Sequence, residues 1–145
     1  MSGTTTKREQ IIAAIATALD DVEAVNGRIY RSRVEAFARN EAPALVIEPG
    51  VDTAAPERVS TCKIDWTLNV ILAVYTRGNI PDQLADPIIL DIHEKLLTDQ
   101  TLGGLVMDIW PSNHDPQFAA ADQPAGWYVL NYTVRYRTGV TDLSS

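Results

Sequence analysis

The sequence predicts an α+β fold in which a mostly antiparallel sheet of about five strands carries two helices on one face. Along residues 64–74 and again along residues 128–136, large apolar side chains alternate with mostly polar ones. This period of two is typical of strands that bury a single face. Two other stretches, residues 6–23 and 81–97, repeat apolar residues at helical spacing. The resulting order is α-β-β-β-α-β-β, and the helices would cover the apolar side of the sheet.

The first helix is predicted over residues 6–23. Thr6 followed three residues later by Glu9 is the pattern of a capping box at a helix start. Apolar residues then recur at positions 12, 15, 16 and 19, which gives the helix one apolar face. Acidic residues crowd its end and oppose the helix dipole, so we expect the last turn to fray before Asn26 and Gly27.

Three strands follow this helix. Residues 28–33 indicate a short strand, residues 34–40 fit either a helical turn or a loop, and residues 44–47 form a compact apolar strand. Glu48, Pro49 and Gly50 are turn-forming residues that should close this second strand. Residues 51–58 have the composition of a loop, which we expect to join the second strand to the third as a hairpin.

The third strand, residues 60–77, is the central pattern of the chain. At about 3.3 Å per residue it spans on the order of 50 Å, whereas a domain of this length measures about 40 Å across. Such a strand must bend, or project as an arm whose exposed backbone needs a partner. Its inward side chains and those of the last strand are the predicted core: Ile64, Trp66, Leu68, Val70, Leu72, Leu130, Tyr132 and Val134.

The second half of the chain supplies a helix and two strands. The helical pattern extends to Leu97, with Pro81 in its first turn and Pro87 either disrupting it or starting a second helix. A strand at residues 105–110 precedes residues 111–126, a turn-rich stretch predicted as a long loop. Residues 127–137 form the last strand, which should pair with the third. The tail from residue 139 onwards is expected to be loose.

Composition limits the classes of function. The 145 residues are expected to form a single domain, residues 1–145, with an ordered core over about residues 5–138. The net charge of −7 argues against non-specific binding to nucleic acid or to acidic membranes. No apolar run approaches the roughly 20 residues that span a bilayer, and the first residues do not resemble a secretory signal. We therefore expect a protein that is used or assembled in the cytoplasm, and its one cysteine, Cys62, excludes an intrachain disulfide.

Residues that carry chemistry form no recognisable site. His93 lies between acidic residues whose helical spacing does not bring them onto one face. His114 and nearby acids could bind a cation or serve a small enzyme, but loop composition accounts for them equally well. Cysteine and histidine spacings suit no zinc site, and Gly103-Gly104 lacks the Lys-Ser/Thr of a phosphate-binding loop. We expect no catalytic residues, no metal and no cofactor, and a protein that is not an enzyme.

Charge is unevenly distributed along the chain. Residues 28–39 carry four arginines and one acid, whereas residues 82–122 carry eight acids and one lysine. This is either ordinary solvated surface or a pair of complementary patches through which one subunit meets the next, head to tail. The polar face of the sheet can likewise meet water or a neighbouring subunit. The candidate subunit-interface residues are Arg28, Arg31, Arg33, Arg39, Asp65 and Asn69.

Several segments, in their order and spacing, resemble the tail terminator family of long-tailed bacteriophages, the group of the lambda-type minor tail protein U. The segments that carry the likeness are KREQI at residues 7–11, RIYRSR at 28–33, APALVI at 42–47, the strand at 64–75, DQTLGGL at 99–105 and the strand at 129–137. They span roughly residues 5–138, and the turn at 99–105 is the most distinctive. None of them is a catalytic motif.

The resemblance implies a structural virion protein that acts by binding. It implies a homo-oligomeric ring, a hexamer, that caps the tail tube, stops polymerisation of the major tail tube protein and provides a surface for the head–tail connector protein. DNA would pass through the ring without specific binding, and the ring would belong to the virion tail after assembly in the host cytoplasm. The residues expected to contact the tube or connector are Val51, Asp52, Thr53, Glu57 and Arg58. The alternatives are a head–tail connector or neck subunit and a non-viral α/β binding module.

Overall fold

The computed structural model describes residues 4–25, 27–32, 41–55, 63–78, 80–119 and 125–145. Its elements in chain order are α1 (Lys7–Ala18), a 3₁₀ turn (Glu23–Val25), β1 (Ile29–Arg31), β2 (Ala44–Ala54), β3 (Lys63–Arg77), α2 (Pro81–Leu97), β4 (Asp108–Ala119) and β5 (Ala125–Gly139). The predicted fold class and element order are confirmed. Four residues of the candidate surfaces, Arg33, Arg39, Glu57 and Arg58, lie outside the described residues.

The described strands form one mixed sheet in the order β1-β2-β3-β5-β4. β1 and β2 run parallel, and the other neighbours are antiparallel. The third and last strands pair as predicted, over the whole length of both. On its other side β3 pairs with β2 between Trp66 and Tyr75. β3 is therefore the central strand of its own sheet, and the expectation that it projects as an arm with exposed backbone is wrong.

The core lies between the two helices and one face of the sheet. Its buried side chains come from α1, α2 and alternating positions of β2, β3 and β5. Six residues expected in the core are completely buried: Leu68, Val70, Leu72, Leu130, Tyr132 and Val134. Ile64 and Trp66 are only half-buried. They lie toward the first end of β3, where Trp66 packs against the edge of the core and lines an open cleft.

α1 begins as predicted and ends early. The hydroxyl oxygen of Thr6 accepts a hydrogen bond from the backbone N–H of Glu9 at 3.1 Å, which is the N-cap of the predicted capping box. The helix stops at Ala18, because the acidic residues that follow would add negative charge to the negative end of the helix dipole. Val22 is nevertheless buried beyond the helix end.

Two segments predicted as a turn and a loop are strands. β2 continues through Pro49 and Gly50, and β4 continues through Pro111 and Pro116. Proline cannot donate to a strand ladder, but it is accepted at bulges and on edge strands. Pro49 and Pro111 each border a register shift, and β4 is an edge strand of the described sheet. The predicted turn at residues 48–50 and the predicted loop over residues 111–119 are therefore wrong.

The second helix and the tail are more regular than expected. α2 is one continuous helix with Pro87 inside it, so a separate helix does not start there. The tail is held against the start of α1: the backbone N–H of Lys7 donates to the carbonyl of Leu143 at 2.6 Å, and that of Gly139 donates to Ser145 at 3.1 Å. Within the described ranges, no helix has the length and apolar character needed to cross a membrane.

Candidate assembly surfaces

A β-bulge in β2 reverses which of its side chains face the helices. The pairing register with β3 shifts between Pro49 and Asp52. Before the shift Ile47 is buried, and after it Asp52 lies opposite the buried Leu68. Because cross-strand partners share a face, the bulge turns Asp52 toward the core side and leaves Val51 outside, 74% exposed. Strict alternation from Ile47 would place these two side chains the other way round.

The expectation of a loop at Val51, Asp52 and Thr53 is thus wrong, since all three residues belong to β2, whereas β2 and β3 pair antiparallel as the predicted hairpin requires. The bulge is the physical reason, because it lets the strand continue past proline and glycine. Gly50 fits there for a steric reason: a Cβ at this position would lie 2.7 Å from the backbone oxygen of Asn69.

A cleft of about 280 Å³ opens beside Asp52, and we call it the Asp52 cleft. Its lining comes from the start of α1, from β2, β3 and β5, and from the tail: Thr6, Arg8, Asp52, Trp66, Tyr136, Thr138 and Leu143. The rings of Trp66 and Tyr136 stack with centroids 6.3 Å apart. The indole N–H of Trp66 donates to the hydroxyl of Thr138 at 2.9 Å. The cleft walls are therefore ordered by contacts within the chain.

The carboxylate of Asp52 is only partly satisfied. Its Oδ2 accepts a hydrogen bond from the hydroxyl of Tyr136 at 2.5 Å, whereas its Oδ1 is buried without a hydrogen-bond partner among the described residues. Burial raises the pKa of Asp52, while the bond from Tyr136 and the charge of Arg8 act against that rise. Burial and the bond to Asp52 also raise the pKa of Tyr136. Asp52 is half-buried as a residue, so the cleft presents part of a carboxylate that the chain itself satisfies incompletely.

The other end of β3 carries a small pocket beside an arginine, and we call it the Arg77 pocket. Its volume is about 180 Å³, and its lining residues are Pro43, Thr76, Arg77, Leu84, Pro87 and Ile88. The Nε of Arg77 is buried, and no described residue accepts a hydrogen bond from it. Two apolar side chains at this end are solvent-accessible, because Leu84 is 47% and Ile80 is 53% exposed. This end thus combines a cation with accessible apolar surface.

The sheet face away from the helices holds two of the candidate interface residues. Asp65 is buried and forms an ion pair with Arg137, with Oδ1 2.6 Å from the guanidinium Nε. The Nδ2 of Asn69 donates to the Oδ1 of Asn131 at 3.3 Å, and the Nδ2 of Asn131 donates to Asn113 at 2.6 Å. These amides form a row across β3, β5 and β4, so this face is polar and internally hydrogen-bonded.

The described arginines of the predicted basic patch have partners within the chain. Arg31 forms a bidentate ion pair with Glu9, in which its two terminal nitrogens lie 2.6 and 2.7 Å from the carboxylate oxygens. Hydrogen bonding to Arg31 lowers the pKa of Glu9. Arg28 donates from Nε to the carbonyl of Pro43 at 2.8 Å. The side chains of Arg31 and Glu9 remain 41% and 44% exposed. A role for Arg28 and Arg31 in subunit contacts stays a prediction.

The two histidines lie near one tyrosine. The Nδ1 of His93 is 3.0 Å from the hydroxyl of Tyr132, and the His114 ring centroid is 6.4 Å from that of Tyr132. Burial raises the pKa of Tyr132 to about 12, and burial lowers the pKa of His114. In the described part of the chain, no three His, Cys, Asp or Glu side chains are grouped as metal ligands would be.

Neither the Asp52 cleft nor the Arg77 pocket was predicted from the sequence. The signal for the Asp52 cleft is Pro49-Gly50 inside an apolar run, since such residues within a strand often mark a bulge. No sequence pattern marks Arg77, because its burial depends on how α2 returns across the end of β3.

Comparison with known proteins relates this fold to a virion component. No protein-family model matches the sequence, and no curated protein matches it. Among solved structures, a matching chain belongs to the virion of a native gene transfer agent particle. The TM-score is 0.65 at 12% sequence identity, and the match covers 88% of this chain and 95% of that chain. At this identity the likeness establishes a shared fold over nearly the whole of both chains.

Proposed function

We propose that this protein is a structural component of a phage-like virion and acts by binding alone. The observation that carries the proposal is the fold shared with a chain of a gene transfer agent virion, over 88% of this chain and 95% of that one. The segments at residues 7–11, 28–33, 42–47 and 99–105, which resemble tail terminators, support the same class. We accordingly propose no catalytic step, no metal and no cofactor.

Within that class, we propose a ring of six identical subunits that caps the tail tube. One face of the ring binds the major tail tube protein and ends its polymerisation, and the other binds the head–tail connector protein. A closed ring built from one kind of subunit needs two different surfaces that fit each other. The Asp52 cleft and the Arg77 pocket supply two distinct surfaces at separate positions along β3.

DNA would pass through the centre of this ring without specific binding. The net charge of −7 supports this part of the proposal, because like charge disfavours adhesion of a polyanion to the protein surface.

Negative-stain electron microscopy of the purified protein tests the ring. We expect round particles with a central hole and sixfold symmetry at high protein concentration and low salt. Sedimentation equilibrium under the same conditions should give the mass of six chains. Protein that stays monomeric both alone and after incubation with purified tail tubes would contradict the proposal.

A head–tail connector subunit is the second candidate, because the matched chain is described only as part of a virion. Particles assembled without this protein separate the two roles. Loss of a terminator should give tubes of variable and excessive length, since polymerisation is no longer stopped. Loss of a connector should give tails of normal length that fail to join heads.

A further inference from the structure

We infer that copies of this chain join end to end, with the Arg77 pocket of one copy seated against the Asp52 cleft of the next. This inference rests on the proposed ring and names the two surfaces that form its subunit contact. The occupant of each surface is therefore a second copy of this chain.

The two surfaces are complementary in charge and in hydrogen bonding. The cleft presents a carboxylate whose buried Oδ1 has no partner among the described residues, and the pocket presents a guanidinium whose buried Nε is likewise unpaired there. A carboxylate accepts several hydrogen bonds, and a guanidinium donates up to five. Hydrogen bonds between two such ionised groups are short and strong. Both residues, Asp52 and Arg77, are only half-buried, so each side chain keeps accessible surface through which an ion pair between copies can form.

A single chain cannot bring these groups together. Asp52 lies opposite Leu68 in the sheet, and Arg77 follows nine positions later along β3. At about 3.3 Å per residue, that separation is roughly 30 Å. Only a neighbouring copy can place its Arg77 beside the Asp52 of this one.

Apolar side chains accompany both charged groups. Leu143 lines the Asp52 cleft and is 50% exposed, and Leu84 lines the Arg77 pocket and is 47% exposed. Burial of these side chains against each other would add apolar contact beside the ion pair, and buried apolar contact is typical of the core of a stable interface.

Arg8 already contributes a positive charge to the cleft. Arg8 donates no hydrogen bond to the Oδ1 of Asp52. Because Asp52 is only half-buried, its side chain keeps accessible surface through which the incoming arginine can approach. Because cleft and pocket differ, the contact is heterologous, and repeated contacts of this kind close into a ring when the rotation between copies allows it.

A mixing experiment with two blocked variants tests the contact. Leu143→Asp places a charge on the rim of the cleft and leaves the pocket intact, whereas Leu84→Asp blocks the pocket and leaves the cleft intact. Each variant alone should remain monomeric in sedimentation velocity. An equimolar mixture should form dimers and nothing larger, because a single intact cleft meets a single intact pocket in each pair.

Two matched variants control for the added charge. Leu90→Asp alters a 69% exposed residue of α2 outside the pocket, and Met107→Asp alters a 47% exposed residue outside the cleft. Both should assemble as the unaltered protein does. Circular dichroism and thermal unfolding check that every variant is folded. If Leu143→Asp or Leu84→Asp does not fold, Asp52→Asn and Arg77→Gln are used in the same mixture in their place.

The outcomes separate this inference from the proposed function. Dimers in the mixture support the contact. If the unaltered protein forms rings and the blocked variants also do, the contact is refuted and the proposed ring is retained. The same holds if the unaltered protein forms rings but the mixture of variants stays monomeric. Unaltered protein that never assembles overturns both.

Discussion

Asp52 and Val51 show how a single register shift changes the energetics of individual residues. Full burial of a valine side chain contributes roughly 1.5–3 kcal/mol, and most of this is forgone at Val51, which is 74% exposed. Its neighbour Asp52 instead loses hydration and keeps one hydrogen bond, from Tyr136. Local departures of this kind from the apolar pattern concentrate at functional sites. The bulge therefore marks the residues of β2 with the strongest reason to meet a partner.

Asp52 should make the folded state less stable as pH rises through the acidic range. Burial raises its pKa in the folded protein above the ordinary value of 3.8. The folded state then holds the proton more tightly, so this contribution to stability is present below the unfolded pKa and is lost as pH rises through the folded pKa. We expect Asp52→Asn to lack this component in urea unfolding curves recorded across the acidic range.

Asp99 provides a control of opposite sign. Hydrogen bonds from Thr101 and from the backbone of Gly103 lower the pKa of Asp99. Its contribution is present above the unfolded pKa and is lost as pH falls through the folded pKa. Asp99→Asn should therefore change the pH dependence in the opposite direction to Asp52→Asn. The same direction for both variants would refute the environment assigned to Asp52.

Gly50 should not tolerate a larger side chain. A Cβ at this position would lie 2.7 Å from the backbone oxygen of Asn69 and 2.9 Å from its Nδ2, so the bulge or β3 must move. We expect Gly50→Ala to lower the free energy of unfolding by about 1–3 kcal/mol in chemical denaturation. Gly139→Ala is the matched control, because its nearest neighbour lies at an ordinary 3.5 Å and the change should be near zero. Equal stability of the two variants would argue against the tight approach.

At the scale of elements, prolines occupy positions where their cost depends on the neighbours. β4 accepts Pro111 and Pro116 as an edge strand, and there they also discourage pairing with other chains. α2 contains Pro87, which removes one helical hydrogen bond and yet leaves the helix continuous. Pro87 also lines the Arg77 pocket, so its replacement changes both the helix and the surface of that pocket.

Replacement of Pro87 should stabilise the isolated chain. A proline inside a helix costs about 3 kcal/mol or more, so Pro87→Ala should raise the free energy of unfolding by about 1–3 kcal/mol. Pro81→Ala is the control, because at the first helical position the missing N–H has no helical partner in any case. Differential scanning calorimetry measures the stability of both variants. If Pro87→Ala gives no increase in stability, the residues around Pro87 are packed to fit its pyrrolidine ring.

At the scale of the whole molecule, the paired fifteen-residue strands β3 and β5 set the distance between two chemically different ends. At about 3.3 Å per residue these strands extend on the order of 50 Å. The Asp52 cleft lies toward one end and the Arg77 pocket at the other. A molecule with unlike ends is suited to directional assembly, which is what a ring or cap requires.

Arg31 tests whether the predicted basic patch acts within one chain or between chains. Arg31→Glu removes the exposed pair with Glu9 and should cost at most about 1 kcal/mol of stability. The reversed pair, Glu9→Arg with Arg31→Glu, should recover that loss in thermal unfolding. If Arg31 contacts a neighbouring subunit, both proteins should associate more weakly than the unaltered chain in sedimentation velocity. If the protein with the reversed pair associates normally, Arg31 acts only within its own chain.

Periodicity and capping were sufficient to predict the class of fold. The alternation along β3 and β5 and the Thr6–Glu9 cap are local properties, so they can be recognised without knowledge of the partners. The same local view misassigned Pro49 and Pro111, because a proline in a strand is acceptable or costly according to whether a neighbouring strand needs its N–H.

Only the tertiary pairing determined which polar groups form the two candidate surfaces. The orientation of Asp52 follows from its register against Leu68, and the burial of Arg77 follows from the packing around the end of β3. Both depend on residues that are distant in the chain, and a period of two cannot report a one-residue bulge that shifts the pairing of β2 with β3. The local pattern therefore establishes that a sheet with one apolar face forms, and long-range contacts establish which charged groups remain for a partner.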